Sequence, residues 1–299
     1  MTCINPLAAW RHPDNSTNHN VTGVNPDTGE YFNKPSTGIS LKPVHGWNTL
    51  WLPCGKCEGC RADQSMMWSI RCYHEAQQHD GNCCFLTLTY DDDHLPDGGV
   101  LVKSHLQKFH RSLRDRGYKH RYFSCGEYGT KTRRPHYHSL IFGQNFKEDK
   151  IDEVGRTSTS VKYDTGNGTY VSPSLNKSWP YGYVQIAEVN MATVCYVCGY
   201  TSKKIGDSDT FNLMSRRPGI GHTWLERFKS DLLVTNTVTI EGREYPVPKR
   251  YLEWQPDFLK SVKLERQLIA QETPRLPDGK LVSKQRNYRS KLSHKGEKI

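Results

Sequence analysis

The sequence predicts an α+β fold, because segments with strand character and segments with helix character follow one another along the chain. Runs rich in β-branched and aromatic residues predict strands at 82–90, at two places within 122–143, at 179–189 and in a hairpin at 238–245. Segments with helical start and stop residues predict helices at 62–79, 104–117, 190–206 and 257–271. A chain of 299 residues can build one sizeable core with appendages, or two small domains.

The charge balance favours a polyanionic partner. Lysine and arginine outnumber aspartate and glutamate by 41 to 31, which gives a formal net charge of +10 and a pI near 9.0. A merely basic surface is the alternative interpretation. No apolar run reaches membrane-spanning length and the N-terminus has no signal-peptide pattern, so we expect a soluble protein that works where it is made. Its ten cysteines are then expected to be thiols and metal ligands of a reducing compartment.

A cysteine-rich knuckle follows an N-terminal segment without sustained periodicity, which we interpret as an extended arm. The run CGKCEGCR places Cys54, Cys57 and Cys60 on a glycine-punctuated turn, a spacing suited to tetrahedral Zn²⁺. A closed structural site needs four ligands, and Cys3 is the candidate for the fourth. An iron–sulfur cluster completed by Cys72, or no metal at all, remains the alternative.

Two helices and a strand are predicted between the knuckle and residue 117. The segment 62–79 contains no glycine or proline, and NCCFLTLTY at 82–90 is ended by an acidic turn and a Pro-Asp-Gly-Gly breaker. Ser104 is predicted to cap the second helix, which stops at Gly117.

A predicted hairpin around a Gly/Lys/Arg/Pro loop carries a candidate metal site. Successive side chains of a strand point to opposite faces, so His136 and His138 share one face. With Glu127 on the neighbouring strand they form a three-point cradle that suits Mn²⁺ or Mg²⁺ and that is also compatible with Zn²⁺. Asp91 and Asp92 are the alternative carboxylates.

A second candidate group lies on the helix that follows the strand at 179–189. Asn190 is predicted to cap this helix, and Tyr196 and Tyr200 stand four residues apart, so both phenols emerge from one face. Lys203 and Lys204 follow on the next turn. The alternative is that the tyrosines simply pack the helix onto a sheet.

The remaining segments are less informative. Residues 144–178 are polar and are interpreted as an insertion or long loop, and 215–228 as a loop with a short helix. The tail from Thr273 has eight basic residues and few apolar ones, so we expect it to be disordered and to bind DNA backbone. We divide the chain into an N-terminal arm, a main domain, an accessory region and a tail, at 1–61, 62–206, 207–272 and 273–299.

In combination, the motifs resemble the HUH endonucleases, and more narrowly the replication initiators of gokushovirus-like Microviridae phages. The resemblance covers about Cys3 to Phe228 and rests on CGKCEGCR, RCYHEA, FLTLTY, GEYG, RPHYH, YVCGYTSKK and SRRPGIG. It implies a HUH fold with a five-stranded antiparallel sheet flanked by helices. It also implies a Mg²⁺- or Mn²⁺-dependent enzyme that nicks and rejoins single-stranded DNA at the viral origin through a 5′-phosphotyrosine. The implied setting is the host bacterial cytoplasm, with a host helicase and polymerase as partners.

The resemblance also implies residue roles. Tyr200 and Tyr196 are the expected nucleophiles, assisted by Lys203. The family has a lysine three residues after each tyrosine, and here Gly199 replaces the one paired with Tyr196, so Tyr200 is expected to attack first. The expected DNA-binding residues are Arg133, Arg134, Lys204, Arg216 and Arg217. The alternative function is a DNA-binding regulator that has a zinc knuckle and no catalysis.

Overall fold

A computed structural model of the chain describes residues 3, 7–11, 20–24, 31–32, 48–129, 132–148, 169–203, 210–235, 237–256, 260 and 262. The chain divides into two compact units, one formed by residues 1–64 with 263–299 and the other by residues 65–262. Most of the predicted long loop, most of the predicted helix at 257–271 and the whole tail from Thr273 lie outside the described residues. No helix in the described part of the chain is both long enough and apolar enough to cross a bilayer.

The first unit contains a four-stranded antiparallel sheet. Its strands are β1 (Leu7–Arg11), β2 (Asn20–Val24), β3 (Tyr31–Phe32) and β4 (Asn48–Leu52), in the order β3-β2-β1-β4. The segment that the sequence analysis interpreted as an extended arm therefore contains a sheet. Leu7 pairs with Leu52, so this sheet depends on partners far apart in sequence, which no local periodicity reveals.

The second unit is built on a five-stranded sheet, which confirms the predicted strand number and antiparallel pairing. The strands are β5 (Cys83–Tyr90), β6 (Arg121–Tyr128), β7 (Pro135–Phe142), β8 (Gly182–Ala187) and β9 (Asn212–Met214), in the order β8-β5-β7-β6-β9. All four pairings are antiparallel. Strand β9 was not predicted, and it comes from the region that the sequence analysis set apart as accessory.

Six α-helices and a hairpin complete the described elements. The helices are α1 (Glu58–Gln77), α2 (Lys103–Asp115), α3 (Pro173–Asn176), α4 (Met191–Lys203), α5 (His222–Thr235) and α6 (Lys249–Trp254). The predicted hairpin is confirmed as β10 (Thr237–Ile240) and β11 (Arg243–Pro246). Helix α6 was not predicted, and α1 begins in the first unit and continues into the second.

The two predicted helix caps have different outcomes. The side chain of Asn190 accepts a hydrogen bond from the Thr193 N–H, and the Thr193 hydroxyl oxygen accepts one from the Asn190 N–H, both at 2.9 Å. The prediction for α4 is thus confirmed. Ser104 does not cap α2, because this helix already begins at Lys103, and Val102 precedes it without a side-chain cap.

Helices pack on both faces of the five-stranded sheet. Helix α2 buries Leu106, Phe109 and Leu113 on the face that carries Leu86 and Leu88. On the opposite face, Val194, Val197 and Cys198 of α4 pack against Phe123 and Leu140, together with Cys72 of α1. The even-numbered residues of β7, including His136 and His138, lie on this second face.

A buried carboxylate holds the turn that follows β9. Glu75 accepts hydrogen bonds from the Arg121 guanidinium and, at 2.7 Å, from the backbone N–H of Gly221. Burial raises the pKa of Glu75, but hydrogen bonds from His79, Gly221 and Arg121 outweigh it and hold the pKa below its usual value. Arg121 also donates to the Pro218 carbonyl at 2.8 Å, so one ion pair ties α1, β6 and this turn together.

We expect Glu75→Gln to lower the free energy of unfolding by about 3 kcal/mol, because the half-buried Arg121 would lose the buried counter-charge that it pairs with. Urea unfolding followed by circular dichroism measures this loss. Glu244→Gln, at an exposed position of β11, is the control and should change stability by less than about 0.5 kcal/mol. Equal losses of stability for the two substitutions would contradict the role of Glu75 in holding this turn.

Candidate active site

The pairing of β6 with β7 brings the predicted metal ligands together. Glu127 stands directly opposite His136 in the register. Its Oε1 atom lies 2.7 Å from His136 Nε2 and 3.2 Å from His138 Nε2. One ligand atom from each of the three residues lies within 4.8 Å of the others, so the group can hold a metal ion.

The second nitrogen of each histidine is held by a neighbouring oxygen. His136 Nδ1 lies 3.1 Å from the Arg134 carbonyl, and a carbonyl can only accept, so this nitrogen carries the proton. His138 Nδ1 lies 3.1 Å from the Thr87 hydroxyl, which can also accept. Both Nε2 atoms face Glu127, and with a proton held on Nδ1 they are the atoms that would bind a metal ion. The donor set of two nitrogens and a carboxylate oxygen suits Mg²⁺, Mn²⁺ or Zn²⁺.

Glu127 is the carboxylate that reaches the histidines. Burial raises its pKa, but hydrogen bonds from His136 and His138 outweigh burial and hold the pKa below its usual value. The alternative carboxylates have other partners: Asp91 lies 2.7 Å from His94 Nδ1, and Asp92 lies 2.7 Å from the Arg134 guanidinium.

The two tyrosines of α4 lie against the same histidine. The Tyr200 ring stacks on His138 with a centroid distance of 5.5 Å, and the Tyr196 ring meets His138 edge-on at 5.2 Å. The two tyrosine rings are 5.0 Å apart and perpendicular. Helical spacing puts both phenols on one face, and the buried Val197 and Cys198 hold this face against the sheet.

The two phenols differ in environment. Tyr200 is buried, with 6% of its surface exposed, whereas Tyr196 is half-buried. Burial raises the pKa of both phenols. The hydrogen bond that Tyr200 donates to Tyr196 raises the pKa of Tyr200 further, and it lowers the pKa of Tyr196, which partly offsets the effect of burial there. Tyr200 is therefore the phenol that is harder to deprotonate, whereas the lysine spacing predicts that Tyr200 attacks first. Lys203 is the last residue of α4, and Lys204 lies outside the described residues.

Comparison with known proteins gives the family. The chain is 31% identical over 273 residues to the replication-associated protein ORF2 of Spiroplasma virus 4, which covers 83% of this chain and 82% of that protein. This chain belongs to the family of phage replication-associated proteins. The predicted resemblance to replication proteins of Microviridae phages is thereby confirmed.

Further matches agree with this family. A 32% identity over 218 residues relates the chain to the replication-associated protein VP4 of Bdellovibrio phage phiMH2K, covering 68% of this chain and 66% of that protein. ORF4 of Chlamydia phage 1 is 31% identical over 67% of this chain and 52% of its own length. The family model for the replication-associated protein ORF2 matches residues 83–205, a segment that contains all three metal-site residues and both tyrosines. No solved structure matches the chain significantly.

The arginines predicted to bind DNA lie at two places. Arg133 and Arg134 precede β7 and line a cleft of about 490 Å³ with Tyr128 and Pro135, and the Arg133 guanidinium lies 4.9 Å above the Tyr128 ring. Arg216 and Arg217 are exposed on the turn that Glu75 anchors, at the other end of β6 and about 20 Å from Glu127 along the strand. Tyr128 and Pro135 face away from Glu127 and His136, so one arginine pair lies at the same end of the sheet as the site and the other pair at the far end.

The four predicted cysteine ligands come together in the first unit of this replication-associated protein. Cys54 Sγ lies 3.9 Å from Cys60 Sγ, and Cys57 Sγ lies 3.7 Å from Cys3 Sγ. Tetrahedral zinc with Zn–S bonds of about 2.3 Å separates its sulfur ligands by about 3.8 Å, so the spacing fits. The alternative ligand Cys72 lies in the second unit, where its Sγ atom is 3.8 Å from Cys198 Sγ.

One functional residue was missed by sequence reasoning. Thr87, in the middle of FLTLTY, pairs with His138 across β5 and β7 and orients its ring. The strand was predicted, but its register with β7 was not, so nothing in the sequence marked this threonine.

We expect Thr87→Val to weaken binding of Mn²⁺ about 10-fold, because His138 loses the hydrogen bond that fixes its ring orientation. Isothermal titration with Mn²⁺ measures the affinity. Thr89→Val is the control: it changes another threonine of β5, two residues further along the same face, and this protein should bind Mn²⁺ like the parent protein. If the Thr87→Val protein bound Mn²⁺ with unchanged affinity, Thr87 would not orient His138 for metal binding.

Proposed function

We propose that this protein initiates and ends rolling-circle replication of a phage genome by nicking and rejoining single-stranded DNA at the origin. The observation that carries the proposal is the contact of two tyrosine rings with His138, which is itself within 3.2 Å of Glu127. A nucleophile pair beside a three-ligand metal group is an arrangement suited to phosphoryl transfer to tyrosine. Membership of the replication-associated family supports the same conclusion.

Glu127, His136 and His138 would hold a Mg²⁺ or Mn²⁺ ion, which supplies positive charge to polarise the scissile phosphate. A tyrosine hydroxyl loses its proton and its oxygen attacks the phosphorus while the bond to the 3′ oxygen breaks; the 3′ oxygen takes up a proton, leaving a 5′-phosphotyrosine and a free 3′-OH. The phosphodiester energy is retained in this linkage, so the strand can be rejoined without a nucleotide cofactor.

Two tyrosines allow initiation and termination at one site. The first tyrosine is occupied as a phosphodiester when the copied circle must be cut, so a second phenol is needed for that cut. Tyr196 and Tyr200 are close enough for each to take its turn at the same phosphate position. We propose Tyr196 as the first nucleophile, because it is the more exposed phenol and accepts the hydrogen bond from Tyr200.

Arg133 and Arg134 would hold the DNA backbone beside the site, and host helicase and polymerase would extend the 3′-OH. Arginine beside an aromatic ring binds single strands through phosphate contact and stacking.

The test is formation of a covalent adduct. Incubation with a single-stranded origin oligonucleotide and Mg²⁺ should give a protein–DNA adduct that survives denaturant. His138→Ala should reduce the adduct at least about 100-fold while binding to the oligonucleotide persists, because the arginines still hold the strand. His222→Ala, outside the site, is the control. Binding without any adduct from the parent protein would support the non-catalytic regulator instead.

The order of attack has its own test. Peptide mapping of the first adduct should find the DNA on Tyr196. Gly199→Lys should increase adduct formation about 3- to 10-fold, because it supplies a cation one turn from this phenol and an added Cβ there meets no atom of another element within 4 Å. Gly199→Ala controls for helix propensity, which favours alanine by about 1 kcal/mol. DNA found on Tyr200 would restore the order predicted from the lysine spacing.

We also propose that Cys3, Cys54, Cys57 and Cys60 bind one structural Zn²⁺. Backbone N–H groups of Cys54 and Cys57 donate to sulfur atoms of the group at 3.3 Å, which favours thiolates. Purified protein should contain about one zinc per chain, and Cys3→Ser should lose it. Cys195→Ser is the control for a cysteine outside the group. Iron, or no metal, found by elemental analysis would contradict zinc.

A further inference from the structure

The sheet face that carries the metal ligands continues beyond them onto β5 and β8. The register aligns residues of four strands in rows, and directly opposed residues share a face. The row that contains His136 runs Tyr183, Thr89, His136, Glu127. Two strand spacings separate Tyr183 from His136, about 10 Å.

Among the described residues, two side chains of β8 on this face are exposed. Tyr183 is 66% exposed, and Gln185, two residues further along β8, is also exposed. The alternate residues Val184 and Ile186 are buried on the opposite face. Helix α4 packs over β6 and β7, and on β5 the Phe85 ring is 6.2 Å from the Tyr196 ring.

An isolated exposed tyrosine needs no functional explanation, but the position of Tyr183 is unusual. Among the described residues, Val100 and Tyr183 are the large hydrophobic side chains that stand exposed, and Tyr183 shares a row with two metal-site residues. Its backbone is firmly held. Gly182 packs so closely that an added Cβ would lie 2.4 Å from the Thr89 carbonyl, and the Asp91 N–H donates to the Tyr181 carbonyl at 3.0 Å.

We infer that Tyr183 is a platform on which one base of the bound single strand stacks, next to the nucleotide that carries the scissile phosphate. This inference rests on the proposed function. Aromatic side chains hold single-stranded DNA in this way because every base presents a flat face. The exposed amide of Gln185, beside the platform, offers a donor and an acceptor to a base edge.

Charge favours a base over a phosphate at this position. Asp91, Asp92 and Asp93 follow β5 directly and lie at the same end of the sheet as Tyr183. Arg134 is paired with Asp92 at 2.7 Å, so Asp91 and Asp93 are the carboxylates that would repel a phosphate here. The strand would therefore place a base, and not a phosphate, against Tyr183. As a positioning residue, Tyr183 acts on binding of the strand and not on the reacting atoms.

The test separates binding from chemistry. Tyr183→Ala should raise the KM for nicking of an origin oligonucleotide about 10-fold and leave kcat within about 2-fold, since stacking contributes to holding the strand. Tyr183→Phe should keep the parent KM, because a ring suffices for stacking. Tyr245→Ala, on β11, is the control tyrosine. An unchanged KM of Tyr183→Ala, or a Tyr183→Phe protein as impaired as Tyr183→Ala, would overturn the inference.

Photocrosslinking gives a readout that does not need cleavage. Oligonucleotides with 5-iodouracil at successive positions around the nick site are irradiated with the full-length protein in EDTA, and the crosslinked peptide is mapped. A crosslink to Tyr183 from a position adjoining the nick supports the platform, whether or not a phosphotyrosine adduct forms with Mg²⁺. Absence of the adduct would defeat only the nicking proposal. Adduct formation with crosslinks that map away from Tyr183 would defeat the platform alone.

Discussion

The register between β6 and β7 is the constraint on which the site depends. Because side chains alternate along a strand, a slip of one residue would move His136 and His138 to the face covered by α2 and away from the tyrosines. Tyr137, between the two histidines, holds the register from that opposite face. It is fully buried, and its hydroxyl lies 2.7 Å from the hydroxyl of Tyr90 and accepts the Val102 N–H at 2.8 Å.

Because side chains alternate along each strand, the two faces of the sheet differ in composition and in role. The face under α2 is an apolar core whose tightness resists any shift of the strands. The face under α4 is apolar only where Val194, Val197 and Cys198 anchor the helix, and it becomes polar toward the strand ends. Tyr196 and Tyr200 stand where the two regions meet, so they are rigidly placed and yet next to the metal ligands.

The cysteine group belongs to a different part of the chain and serves a different purpose in our proposal. Its sulfur atoms are closely spaced and mostly buried, which suits a closed structural site, whereas the Glu/His/His group has three ligands and leaves positions for oxygen atoms. The family model covers residues 83–205, which include the second group and none of the four cysteines. We therefore assign the chemistry to the second unit alone.

The sequence alone determined what depends on near neighbours. The main helices and strands of the second unit, the Asn190 cap, the shared face of His136 and His138 and the shared face of the two tyrosines all follow from the chain's own periodicity. Tertiary structure decided what depends on partners distant in sequence. These features are the sheet at 7–52, strand β9, the choice of Glu127 over Asp91 and Asp92, the role of Thr87 and the deeper burial of Tyr200. A strand as short as β9 has no periodicity to detect, and a hydrogen bond between two strands exists only once their register is set.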